Sequence, residues 1–406
     1  MRQAYRILPV YTGDVSGVCS ALYELGGMVV MHDPSGCNST YNTHDEIRWY
    51  DRDSLIFLSG LCEPDAIMGN DEKLIRDVIR AAAEFKPDFI ALCNSPIPYL
   101  TGTDFPGICR IIEHRTGIPA FYIPTNGMHD YINGAGMAFE KLAEKLFGPL
   151  QEGDETGKAD KNGGRALNIL GMTPLDYAAE GSCRSLRRIL EESGWKIRSV
   201  WAMEDTLENL RLAGEAGVNL VVSASGLRVA EYLRKRFGTP WVAGTPVGSM
   251  KKRVHETLSK ALETGTCLKA YGDYGDSGAA PEEKPEAVVI GEAVMAQSIA
   301  QDCRDRGLSA AVIAATEDSE LLTGPLDRIC RGEEETEEAL GDLCGNNTLV
   351  IADPLYKYVL PEGAVLRKTP HLAFSGRIFR SSFKDPFAVR ENLRPVRDQE
   401  GGRHGT

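Results

Sequence analysis

No apolar run in this 406-residue chain approaches the roughly 20 residues that cross a bilayer, which excludes an ordinary spanning helix. Basic residues are in the minority: 45 Lys and Arg against 58 Asp and Glu give a formal net charge of −13. That balance argues against nucleic acid, whose phosphates call for a basic face. There is no G-x-x-x-x-G-K-[ST], so ATP is not held by a P-loop. No G-x-G-x-x-G follows the first strand of any block, so a dinucleotide is not favoured. Energetically uphill chemistry would have to draw its nucleotide through another protein. Paired C-x-x-C is also missing, which removes the usual zinc signature. The opening MRQAYRILPVYTG is too short and too polar for a secretory signal, so the expected compartment is the cytoplasm. Ten cysteines there read as thiols or metal ligands rather than disulfides.

What remains is ordinary globular composition, 42% hydrophobic and 25% charged, in a chain too long for one core. Two hydrophilic stretches, QEGDETGKADKNGGR at 151–165 and YGDYGDSGAAPEEKPE at 271–286, divide it into three blocks. The first block holds strand-like runs at 27–31 (GMVVM), 54–59 (SLIFLS), 88–92 (DFIAL) and 120–124 (AFYIP), with a helical pattern at 71–85. The second alternates ALNILGMTPLD, helices at 182–192, 206–214 and 227–237, and strands at 198–202, 218–225 and 240–243. The third runs EAVVIGEAV, a helix at 295–306, SAAVIAAT, an acidic helix near 333–343 and TLVIADP. This alternation predicts three doubly wound α/β domains with parallel sheets around a central cleft. Their expected limits are 1–150, which carries a cluster site, 166–270 and 286–385, with 386–406 as a tail.

Cys37, Cys62 and Cys93 each stand just past an apolar run of the first block, and Cys19 lies just ahead of the first run. Strand ends of an open parallel sheet converge on one edge, where ligands bind. Four soft ligands on one edge suit an iron–sulfur cluster. The plainer alternative is that a free cysteine is a small buried hydrophobe. Cys37 follows Pro34-Ser35-Gly36, whose glycine lets backbone approach a bulky inorganic group. Cys109, Cys267, Cys303, Cys330 and Cys344 read as structural, and Cys183 opens a helix as a lesser functional candidate. His32, His44 and His129 fall near the same edge as potential proton donors or ligands, beside Arg48, Asp65 and Asp104. A histidine on a loop is, however, most often simply solvated.

The order of these segments resembles the nitrogenase component 1 family. HDPSGC (32–37) is similar to the family's H-G-P-x-G-C, CEPDAIMGNDEKL (62–74) to its E-x-D-x-V-F-G-G-x-x-K-L, and CNSPIPYLTGTD (93–104) to its C-P-x-x-x-I-G-D-D turn. LGMTPLD, VNLVVSAS and AEYLRKRFGTPW extend the likeness over nearly the whole chain. The resemblance implies three Rossmann-like domains and a 4Fe-4S cluster, or a larger one shared between subunits. It also implies a dimer with itself or with a second similar subunit, and electrons from a separate ATP-hydrolysing iron protein.

There are departures. The family cysteine ahead of H-G-P-x-G-C lies upstream of Cys19, the third-motif cysteine falls near Ser95, and Cys62 lacks a counterpart in the nitrogenase subunits. No cysteine occupies 222–224, where nitrogenase holds its catalytic cofactor, and His371 is the candidate for that cofactor's histidine. Dinitrogen reduction is therefore not expected. The expected function is a nitrogenase-like reductase with Cys19, Cys37, Cys62 and Cys93 on a cluster and His129 or Asp104 as proton donor. The alternatives are a scaffold for metallocluster or tetrapyrrole assembly, and a metal-free α/β ligand-binding protein.

Overall fold

The computed structural model describes residues 4–34, 36, 38, 41, 45–150, 164–272, 283–317 and 320–388. Cys37 and His44, both singled out in the sequence, lie outside them, as do most of the two hydrophilic stretches and the end of the chain. Three parallel sheets account for the strands.

In the first, helix α1 (Asp14–Leu22) precedes β1 (Met28–His32) and β2 (Leu55–Leu58). Then come α2 (Glu63–Met68), α3 (Asp71–Phe85), β3 (Ile90–Asn94), α4 (Pro96–Thr101), α5 (Phe105–Thr116), β4 (Ala120–Ile123) and α6 (Tyr131–Phe147). The order is β2-β1-β3-β4, so the winding reverses between β1 and β3.

The second sheet runs β5 (Ala166–Met172), α7 (Ser182–Glu192), β6 (Lys196–Ala202), α8 (Leu207–Arg211), β7 (Val218–Val221), α9 (Leu227–Phe237), β8 (Trp241–Ala243), α10 (Met250–Thr264) and β9 (Leu268–Lys269). Its order is β6-β5-β7-β8-β9. The third runs β10 (Ala287–Gly291), α11 (Ala293–Asp305), β11 (Ala310–Ala314), β12 (Arg328–Ile329), α12 (Glu333–Leu343), β13 (Leu349–Ala352), β14 (Val365–Lys368) and α13 (Leu372–Ser375), in the order β12-β11-β10-β13-β14. Reversals between β5 and β7 and between β10 and β13 leave crevices at the carboxyl ends of those strands, where ligands bind in open sheets.

Strands such as MVVMH and ALNILGM are buried throughout, as sheets covered on both faces require. One continuous core runs from the α1 and α6 face of the first sheet through the second and into the third. Smaller cores fill the α3 and α5 face of the first sheet and the α11 face of the third. Helices α1 and α6 lie so close that a Cβ at Gly17 would collide with the Tyr131 carbonyl, and one at Gly134 with that of Asp14.

The segment 6–12 straps the first sheet to the third. Ile7 N donates to Glu333 at 2.8 Å, Tyr356 Oη to the Pro9 carbonyl at 3.3 Å, and Thr12 N to the Ala373 carbonyl at 3.0 Å. No helix among the described residues is long and apolar enough to cross a membrane.

Candidate functional site

Strand β3 extends past the expected end of its apolar run and takes in Cys93 and Asn94. Cys93 is therefore an in-strand residue, and the pleat turns its side chain into the core with Val29, Met31 and Ala91. Cys19, on α1, lies in the same core, and neither thiol has exposed surface. Burial, then the Cys93 thiol and the Glu46 carboxylate, push the Cys19 thiol well above its usual range.

Cys62 is in a different setting. It is exposed immediately before α2, and its Sγ donates to Asp65 Oδ2 at 2.8 Å. The structure thus brings together Cys19 and Cys93 but not Cys62. Among the described residues no three His, Cys, Asp or Glu side chains stand together as a metal site. As a single site, the three described thiols do not fit a cluster.

The polar residues of this edge are committed locally. His32 Nδ1 pairs with Ser59 Oγ at 2.8 Å, and burial lowers its pKa to about 4, so the ring is neutral near pH 7. Asp104 caps α5 by accepting from Gly107 N at 2.9 Å. His129 is exposed on a seam with the third sheet, its Nδ1 2.9 Å from Glu317 Oε2. Arg48 is buried between Glu46 and Glu24, with N–O distances of 2.7 and 3.0 Å. Cys183 is buried against the Met203 carbonyl, and burial pushes its thiol up to about 11. Cys109, Cys303, Cys330 and Cys344 are buried as well.

A second polar cluster lies elsewhere, where the three sheets meet. Asp176, beyond the end of β5, accepts from Tyr131 Oη, at the start of α6, at 2.5 Å. His371 Nε2, after β14, stands 3.4 Å from the same Asp176 Oδ1. Its Nδ1 is buried and has no partner among the described residues. Glu292, at the end of β10, accepts from Ala224 N (2.8 Å), Val294 N (2.9 Å) and Met295 N (2.9 Å), tying the second sheet to the third. Burial and the Asp176 charge push Glu292 up to about 8 against those three amides. Asp353, after β13, accepts from Leu355 N and His371 N (both 2.9 Å) and Ser375 Oγ (2.8 Å).

A cavity of about 640 Å³ opens beside this cluster, at the reversal between β10 and β13. Asp176, Glu292, Asp353 and His371 line it together with Met295, Ile299, Phe374 and Phe383. Its size and apolar wall with a few convergent polar groups are those of a small-molecule site. Of its polar residues the sequence pointed only to His371. Asp176, Glu292 and Asp353 each follow a strand of their own block, and the strand-end reasoning applied to cysteines would have found them had it been extended to acids.

Comparison with known proteins agrees with the fold. Residues 16–314 match the model of the family described as nitrogenase component 1 type oxidoreductase; Asp353 and His371 lie beyond the matched range. One subunit of the light-independent protochlorophyllide reductase of Zygnema circumcarinatum is 27% identical over 226 residues, which are 54% of this chain and 43% of that protein. The chain thus spans a little under half the length of that curated relative. The nitrogenase iron-molybdenum cofactor biosynthesis protein NifE of Klebsiella pneumoniae is 22% identical over 356 residues, covering 81% of this chain and 74% of NifE. A solved structure of nitrogenase Cp1 at pH 6.5 superposes with a TM-score of 0.62 at 17% identity, over 93% of this chain and 89% of the other. With the family model matched over most of its length, this chain belongs to the nitrogenase component 1 type oxidoreductase family.

Proposed function

We propose that this chain is the guest-holding component of a nitrogenase-like reductase, with its substrate in the cavity where the three sheets meet. The observation that carries this reading is the Asp176–His371 pair: a half-buried imidazole in the cavity wall, set beside a carboxylate at one nitrogen and without a partner among the described residues at the other. Low-potential electrons would come from a separate ATP-hydrolysing iron protein, since the chain has no P-loop. An iron–sulfur cluster, if bound at the first sheet's edge, supplies one-electron transfer there. Cys37 and Cys62 are the ligands best supported for it, Cys37 by its motif and Cys62 by its exposure. The associated chain would be a second copy or a similar subunit.

The chain's own residues define what happens in the cavity. Tyr131 Oη holds Asp176 in place, and Asp176 orients His371 through Nε2. Nδ1 is then the atom at which a proton is held for, or taken from, a guest. On this reading proton transfer falls to His371 in preference to His129 and Asp104, because His371 lines the cavity and those two do not. Glu292 and Asp353 brace the backbone that forms the cavity wall.

A scaffold role is the second reading. It is favoured by the NifE likeness, which covers more of both chains than the protochlorophyllide reductase likeness does.

The test is anaerobic mixing with a nitrogenase-type iron protein and MgATP. The reading expects the chain to stimulate ATP hydrolysis, and His371→Ala to leave that stimulation intact while abolishing turnover of a guest. No complex and no stimulation would refute the reductase reading. Stimulation with a retained but unreduced guest would favour the scaffold.

A further inference from the structure

The pleat of β3 separates thiols that the sequence places side by side. Ala91 and Cys93 face α1, whereas Ile90 and Leu92 face the core under α3 and α5. Cys93 Sγ lies 3.9 Å from the Val30 carbonyl, inside the sheet rather than at its rim. Cys19 meets it from a helix whose residues from Gly17 to Leu22 are all buried. A metal-ligating thiol must reach the metal and must shed its proton. Cys19 has no exposed surface through which to reach one, and the Glu46 carboxylate lies nearby. That carboxylate is held in place by Arg48 and by Tyr41 Oη at 2.8 Å, so the arrangement is braced.

We infer that Cys19 and Cys93 form a core thiol pair that joins α1 to β3 and ligates no metal, so that any iron–sulfur cluster on this edge is assembled without them. The pair acts as two small polarizable hydrophobes at a tight helix–sheet contact, the usual behaviour of buried free cysteine. This rests on the cluster reading above only in its consequence for ligands; the pairing itself is a property of the core.

The experiment is anaerobic reconstitution of the full chain with ferrous iron and sulfide, comparing wild type with Cys19→Ala, Cys93→Ala and the volume-restoring Cys93→Val. Iron and sulfide per chain and the visible absorbance are expected to match wild type in every variant with a wild-type circular dichroism spectrum. Loss of half or more of the iron from a folded variant at either position overturns the inference. Iodoacetamide labelling read by mass spectrometry gives a measure that needs no cluster. In the native protein Cys62 should be modified while Cys19 and Cys93 stay untouched until denaturant is added. Native labelling of Cys19 or Cys93 at the rate of Cys62 overturns the inference too. A wild type that takes up no iron defeats the cluster reading instead and leaves the labelling result to decide the pairing.

Discussion

Replacing Arg48 by methionine isolates one buried charge network. The guanidinium donates to both oxygens of Glu46 at 2.7 and 2.8 Å, to Glu24 at 3.0 Å and to the Ser20 carbonyl at 2.9 Å, and it lies 4.4 Å from the Tyr23 ring centroid. Burial alone would raise Glu46, but Arg48 overrides it and holds the carboxyl below its usual range. Methionine keeps the apolar stem and removes the charge. Breaking a buried pair by deleting one partner costs about 3–5 kcal/mol. Glu46 keeps Tyr41 Oη, and Glu24 keeps its ion pair with Arg52, so the lower end applies, about 3 kcal/mol. That is on the order of 100-fold in a local opening equilibrium.

Because a three-sheet chain need not unfold in one step, the assay is hydrogen exchange of peptides covering α1 and residues 46–52, corrected for intrinsic rates. The sign with pH follows from Glu46. In the wild type its stabilisation is present above the unfolded carboxyl pKa and is lost as pH falls through the depressed folded value. In the variant the unpaired carboxyl is penalised only when charged, so the deficit is largest at neutral pH and narrows in mild acid. Arg48→Met with Glu46→Gln should recover much of the loss. Exchange within threefold of wild type at neutral pH, or a deficit that ignores pH, would refute the reasoning.

His32 has a folded pKa of about 4 against 6.5 unfolded, so its contribution is full above pH 6.5 and lost as pH falls toward 4. The loss amounts to at most about 3 kcal/mol, and His32→Asn should flatten the acid limb of stability; an unchanged limb would count against a neutral buried ring. Asp104→Ala should cost about 1 kcal/mol through the α5 cap. It should leave turnover and iron content unchanged, and a specific loss of turnover at unchanged stability would restore Asp104 as a proton donor.

Helix limits were legible wherever amphipathic period and a clear stop coincided. The runs at 71–85, 182–192 and 227–237 fold as expected because their apolar faces repeat at helical spacing and a left-handed residue ends two of them, Lys86 after α3 and Gly238 after α9. Helices α6 and α10 escaped the sequence reading. In α6 the glycines Gly134 and Gly136 weaken the helical signal, and the purpose of Gly134, close contact with the Asp14 backbone, exists only in three dimensions. Cys93 shows the limit at the site. Whether a strand ends one residue before or after a cysteine decides between rim and core, and the polar Asn94 gave no sign that pairing with His32 continues that far. Asp176, Glu292 and His371 meet through the packing of three sheets, which no local pattern encodes.

The strap at 6–12 has a consequence for how the chain is made. Arg6 and its partner Glu333 are 327 residues apart. At roughly 5–20 residues per second, translation leaves the strap waiting on the order of 15–65 s for its anchor. Through that interval the first sheet can form, yet the contacts of Ile7, Pro9 and Thr12 must stay open until the ribosome has delivered α12, Tyr356 and α13. Residues 6–12 therefore reach their final contacts long after they are synthesised.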